Sequence, residues 1–238
     1  MRATGTVLVA VGVTTLLFVA YQLWGTGIQE ARAQSGLERE FTAALGNPRA
    51  TTAPAPSDRA TRSTPPSAPD PAAGDAAARI RIPRLGVDKI VVEGVTTEDL
   101  KRGPGHYPGT ALPGQVGNAA IAGHRTTYGA PFGNLDDLAP GDEIVVETLA
   151  GSFRYLVDRS FVVTPDRTDV LNPTPHASLT LTTCHPRFSA RQRLVVIASL
   201  AGQPPAPPTA TTLPIDAPPT PGAVPHEQPS LSGAGAPR

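Results

Sequence analysis

A single cysteine occurs in the 238-residue sequence. It closes a run that alternates apolar and hydroxyl side chains, Ser178-Leu179-Thr180-Leu181-Thr182-Thr183-Cys184. Nine positions later Arg193 opens a second apolar run, Leu194-Val195-Val196-Ile197. Sixty positions before the thiol a third run, Asn118-Ala119-Ala120-Ile121-Ala122-Gly123, stops at His124. A thiol, an imidazole and a guanidinium, each at the end of an expected strand, are the components of an acyl-transfer site. Thiolate attack on a peptide carbonyl generates an oxyanion, and a rigidly held guanidinium stabilises that charge as it develops.

Each of these residues has an ordinary alternative. A lone cysteine in a strand is most often a small buried hydrophobe. Cys184 departs from that pattern because it ends its strand and is followed directly by His185-Pro186-Arg187. Strand-end loops commonly carry catalytic groups. Of the five histidines, His185 adjoins the thiol but should point to the opposite strand face. His226 lies in a Pro-rich tail and His176 in a Pro-flanked loop, which leaves His106 and His124. Arg187, Arg191 and Arg193 are the arginines within reach by sequence, and only Arg193 opens an apolar strand.

The elements that position these groups read mainly as strands. Arg79–Pro83 alternates, Lys89–Glu93 follows a turn at Gly86, and Asp142–Thr148 follows Ala139-Pro140-Gly141. Phe153–Val157 and Phe161–Val163 come next. With the strands ending at His124 and Cys184 and the one opening at Arg193, about eight short strands are predicted. Helical patterning is confined to Thr96–Leu100 and Phe132–Leu138. So many short strands in one small domain fit a closed β-barrel, which leaves no exposed sheet edge.

The flanks have a different composition. Residues 3–29 carry no charge until Glu30, and residues 6–24 supply 19 positions with Tyr21 and Trp24 at the far end. That is close to the ~20 residues of a bilayer-spanning helix with an interfacial aromatic belt. A cleaved signal ending at Ala31-Arg32-Ala33 is the alternative, with an apolar core long for that role. The predicted organisation is a short cytoplasmic head (1–5), a membrane anchor (6–24) and a helical stalk (25–46). A Pro/Ala-rich disordered linker (47–78), the folded domain (79–201) and a Pro-rich disordered tail (202–238) follow. On this reading the anchor, stalk, linker and tail contribute nothing to the domain's core. The sequence is formally neutral and lacks a basic run, which gives no support to nucleic-acid binding.

The motif Thr180-Leu181-Thr182-Thr183-Cys184 resembles the TLxTC signature of sortases, membrane-anchored cysteine transpeptidases of Gram-positive cell walls. His124, Cys184 and Arg193 occur in that family's order. The blocks Gly103–Ala111 and Gly117–Arg125 resemble the class E branch found in actinobacteria. The resemblance implies an eight-stranded sortase barrel with His124, Cys184 and Arg193 as the catalytic triad. It further implies a sorting signal of LAxTG or LPxTG type, an amine of cell-wall precursor as acceptor, and an extracytoplasmic catalytic domain. Tyr107 is similar to the class E tyrosine tied to the second position of that signal, and Thr182 and Thr183 are assigned with it to substrate binding. No metal or other cofactor is expected. With ordinary pKa values, a thiolate–imidazolium pair is only roughly 1 % populated at pH 7. An L,D-transpeptidase also uses Cys and His, but its Ser-His-Gly-Cys signature is replaced here by Thr-Thr-Cys-His-Pro. A membrane-tethered wall-binding module with a structural cysteine is the non-enzymatic alternative.

Overall fold

The alternating sequences close on themselves. In a computed structural model that describes residues 2–20, 25–46 and 71–202, eight strands form one closed barrel in the order β1-β2-β3-β4-β7-β8-β6-β5. The strands are β1 (Ala76–Ile82), β2 (Val87–Glu93), β3 (Gly105–His106), β4 (Gly117–Ala122), β5 (Glu143–Thr148), β6 (Gly151–Val163), β7 (Ala177–His185) and β8 (Gln192–Leu200). Neighbours are antiparallel except for β2 with β3 and β4 with β7, which run parallel.

The expected number of strands is met by a different set. The stretches Phe153–Val157 and Phe161–Val163 are one 13-residue strand, β6, whose register shifts between Val157 and Arg159. The missing member is β3, two residues long. The helix expected over Phe132–Leu138 is only a 3-10 turn, Leu135–Asp137. The other expected helix is present as α3 (Thr97–Arg102), entered through a capping box between Thr96 and Asp99.

Alternation along each strand sends one set of side chains inward. Ile80, Ile82, Ala119, Ile121, Ile144, Val146, Leu179, Leu181, Leu194, Val196 and Ala198 fill the barrel. Phe132, fully buried, enters this core from the loop after β4. β1 begins three residues ahead of the expected domain boundary, with Ala77 and Ala78 already buried.

Two helices precede the barrel, α1 (Arg2–Ala20) and α2 (Thr26–Gly46). Among the described residues no helix is long and apolar enough to cross a membrane. The expected span runs to Trp24, and residues 21–24 lie outside the described residues. The expected stalk is helical but does not stand clear of the domain. Leu37 and Phe41 of α2 are buried and form a second core with Ile90 and Val92 on the outside of β2. Gln34 donates from Nε2 to the carbonyls of Ile90 and Arg102, each at 2.9 Å, and accepts from the Ile90 amide at 2.7 Å. Glu30, 2 % exposed, pairs with Lys89 at 2.7 Å. The N-terminal segment therefore contributes core, contrary to the sequence reading. Residues 47–70 of the expected linker, and the tail beyond residue 202, fall outside the described residues.

Candidate active site

Register brings the reactive side chains together. On β7 and β8, Cys184 pairs directly with Arg193, and directly opposed residues have Cβ atoms about 4.5–5.5 Å apart. On the other side of β7 runs β4, with Ala122 paired to Thr182. The Gly123 amide donates to the Thr182 carbonyl at 3.0 Å, which extends this ladder beyond Ala122. His124 is the next residue after Gly123, just past the end of β4, and Cys184 lies two residues beyond Thr182 on β7. Leu179, Leu181, Leu194, Val196 and Ile121 face the barrel interior. By alternation, Cys184 and Arg193 lie on the outer face, and His124 follows the end of β4 at the same end of the sheet.

Gly123 permits this arrangement. A Cβ there would lie 2.5 Å from the ring of Phe132, so only glycine lets the loop after His124 fold back and seat Phe132 in the core. The His124 carbonyl accepts from the Phe132 amide at 3.1 Å, closing that loop.

His124 is half-buried, and desolvation holds its imidazole below the usual histidine range. Its Nε2 is buried and has no hydrogen-bond partner, so one ring nitrogen is uncommitted. Its ring packs against Tyr128, with centroids 5.1 Å apart and planes inclined by 36°. Arg193 donates from one terminal nitrogen to the carbonyls of Ala190 at 2.9 Å and Gln192 at 3.1 Å. Among the described residues no carboxylate pairs with it, so its charge is left to act on the rim.

Sequence reasoning missed Arg125. This residue is 4 % exposed. One terminal nitrogen donates to the Cys184 carbonyl at 3.2 Å and lies 2.8 Å from Nδ1 of His185. The other pairs with Asp136 at 2.8 Å. Arg125 thus ties the residue after His124 to the backbone of the thiol. His185 points away from the thiol's neighbours and is engaged by Arg125. Arg187 reaches Asn134 at 2.7 Å and is exposed, as is Arg191.

The expected binding residues divide. Tyr107 lies beside the reactive rim, its hydroxyl 3.3 Å from that of Thr182. Thr182 shares the face of Cys184. Thr183 does not: strand alternation turns it away from the thiol, and its hydroxyl donates to the Gly123 carbonyl at 2.8 Å. It fastens the end of β4 to β7, while the surface beside Cys184 belongs to Thr182. His106, the rival histidine, is 2 % exposed. Its Nδ1 lies 2.7 Å from Glu93 and its Nε2 3.0 Å from the Ala111 carbonyl. Among the described residues no group of three or more His, Cys, Asp or Glu side chains converges on a metal position.

These features define a class, a single-thiol β-barrel with a guanidinium paired across from the sulfur on one neighbouring strand and an imidazole just past the end of the other. A family model for the sortase domain matches residues 80–201. Sortase SrtE1 of Streptomyces coelicolor is 36 % identical over 224 residues, covering 86 % of this chain and 58 % of that relative. The solved structure of a Clostridium perfringens Sortase D5 transpeptidase is similar with a TM-score of 0.56 at 31 % identity, over 73 % of this chain and 98 % of that one. The crystal structure of Sortase E1 from Streptomyces coelicolor, with a tripeptide in its active site, gives a TM-score of 0.51 at 35 % identity, over 56 % and 96 % of the two chains. The chain belongs to the sortase family and resembles its E branch. It spans just over half the length of the curated relative, at 58 %.

Proposed function

We propose that the chain is a membrane-tethered cysteine transpeptidase. It cleaves an LAxTG- or LPxTG-type sorting signal between Thr and Gly and passes the acyl group to an amine of cell-wall precursor. The observation that carries this reading is the direct pairing of Cys184 with Arg193, with His124 two residues beyond the point where β4 pairs with β7, at Ala122 and Thr182. Sortase membership leaves the L,D-transpeptidase alternative without a carrier, and a purely structural thiol would need neither neighbour. Substrate at such a rim agrees with the tripeptide in the active site of the Streptomyces coelicolor Sortase E1 structure.

In the proposed reaction the Cys184 thiolate attacks the threonine carbonyl carbon and a C–S bond forms. The Arg193 guanidinium faces the resulting oxyanion. Collapse breaks the C–N bond while His124 gives its proton to the departing glycine nitrogen. The acceptor amine then attacks the thioester, its proton passes to His124, and the C–S bond breaks to return the thiolate. Because desolvation disfavours imidazolium, the reactive pair is scarcer than ordinary pKa values predict, and turnover is slow until substrate binds. Tyr107 and Thr182, in contact through their hydroxyls, are the side chains beside Cys184 that would meet the sorting signal.

The tether is proposed on α1. Val7, Leu8, Val9, Leu16, Leu17 and Phe18 are each more than half exposed, an apolar surface suited to lipid. The catalytic barrel then lies outside the membrane.

The test is incubation with a fluorogenic LAxTG peptide and trapping of the thioester by mass spectrometry. A covalent adduct on Cys184, lost in Cys184→Ala, is the expected result. Full cleavage by a well-folded Cys184→Ala chain would exclude the mechanism.

A further inference from the structure

We propose that Tyr128 is a positioning residue for His124, and that helix α2 holds it there through Glu30. The inference rests on the reading of His124 as the acid–base group. It extends the active site to a helix that lies before the barrel in sequence.

Three observations converge on the segment. Tyr128, Gly129 and Ala130 are consecutive residues with φ of 50°, 70° and 43°. Glycine adopts such angles freely, whereas a tyrosine or an alanine there is strained. Strain of this kind persists only where surrounding contacts impose it, and it gathers at functional sites. The second observation is what the strained turn holds in place. The Tyr128 ring packs on the His124 ring at 5.1 Å, and this cover forms part of the apolar surround that desolvates the imidazole. The third is what presses on the turn from behind. A Cβ on Gly129 would lie 2.6 Å from Glu30 Oε2, so the α2 carboxylate sits directly against the Gly129 backbone. Glu30 is itself fixed, 2 % exposed and paired with Lys89 of β2.

The chain of contact thus runs from Lys89 on the barrel through Glu30 on α2 and the turn at Gly129 to Tyr128 and His124. The turn has Glu30 on one side and His124 on the other. The turn is closed by the Ala130 amide, which donates to the Thr127 carbonyl at 2.9 Å, and Glu30 of α2 backs it at Gly129, so loss of α2 would loosen the seat of the Tyr128 ring on the imidazole. Other charged groups surround the pair. Cys184 on β7 is next to the His124 segment, with Arg193 of β8 on the far side of Cys184, Arg125 follows His124 in its own loop, and Lys101 of α3 is within electrostatic reach of Tyr128. All of them stay in place in the variants below.

The discriminating substitution is Tyr128→Gly in the full chain, purified in detergent. Glycine is at ease at this φ, so backbone strain is relieved while the ring is lost. The expected result is kcat on the LAxTG peptide lower by about ten- to a hundredfold, the range of a slightly misplaced catalytic group. KM should change little, and the melting temperature should not collapse. The acid limb of the kcat/KM profile and the NMR titration of His124 should both move to higher pH, toward an ordinary histidine. Tyr128→Phe, which keeps the ring, should retain the parent acid limb. Gly129→Ala should also lower kcat, and Glu30→Ala in the same chain should recover part of it. An unmoved His124 titration in Tyr128→Gly overturns the positioning role. Strictly additive losses at Gly129 and Glu30 overturn the part assigned to α2. Failure of the catalytic reading is a separate outcome, seen as undiminished activity in His124→Ala, and it leaves the titration result intact.

Discussion

Arg193 and Arg125 show how differently two arginines can serve one thiol. Arg193 stands opposite Cys184 with its guanidinium held by the carbonyls of Ala190 and Gln192 and no counter-ion among the described residues. Arg193→Lys keeps the charge but loses the planar fork, so kcat/KM should fall about a hundredfold or more with the fold intact. Similar losses in Arg187→Lys and Arg191→Lys would reduce the effect to general surface charge. Arg125 acts on the backbone. Its removal leaves the Cys184 carbonyl and His185 without their donor, so Arg125→Ala should lower both the melting temperature and kcat, whereas Asp136→Asn, on a half-exposed partner, should do little. The pH profile follows from His124. Because its folded pKa lies below the ordinary ~6.5, protonation favours the unfolded chain, and the imidazole lowers stability as pH falls through 6.5. For activity, the acid limb of kcat/KM should lie below that value. A limb at or above 6.5 would show that the ring is solvated. Cys184, His124 and Arg193 stood out as candidates because each ends or opens a short apolar run, and the register of β7 with β8 pairs two of them. Arg125 was not legible, since an arginine after a strand normally reads as a solvated charge. The alternation argument that set His185 aside applies equally to Thr183, which faces away from the thiol for the same reason.

At the scale of elements, the barrel was readable where strands alternate over several residues and obscure where they do not. β3 consists of two residues, Gly105 and His106, with no periodicity to detect. β6 reads as two strands because the register shift between Val157 and Arg159 interrupts its alternation. Helix α2 hid its docking face. Residues 30, 34, 37 and 41 recur at helical spacing and all face the barrel or α3, but Glu30 and Gln34 are polar, so no apolar stripe stands out. Only the partners on β2 explain the pattern: Lys89 for the carboxylate and the Ile90 backbone for the amide. The energetic consequence is testable. Leu37→Ala or Phe41→Ala removes a buried side chain from the second core and should cost about 2–5 kcal/mol in chemical denaturation. A chain trimmed to begin at residue 75 exposes Ile90 and Val92, and should melt well below one that begins at residue 25. Equal melting temperatures for the two would mean that α2 does not dock in solution.

At the scale of the whole molecule, docking of α2 changes what the Pro-rich segment does. A linker over 47–78 would hold a free domain up to ~100 Å from the bilayer. With α2 packed on the barrel, the path from α1 to the folded domain runs through residues 21–25 alone. Five residues extend at most about 18 Å, whereas the 21-residue α2 lies along the barrel for roughly 32 Å. The segment after Gly46 joins the C-terminal end of α2 to β1, so on the proposed anchoring it would carry no load between membrane and barrel. With α1 in the membrane, as proposed, the catalytic rim works close to the lipid surface, where a lipid-linked acceptor would be found. A protease site inserted within residues 47–70 tests this directly. After cleavage on washed membranes, the barrel should remain in the membrane fraction, held by α2 alone. The same cut in a chain carrying Leu37→Ala and Phe41→Ala should release it. Release from the parent chain as well would return the segment to its role as a spacer.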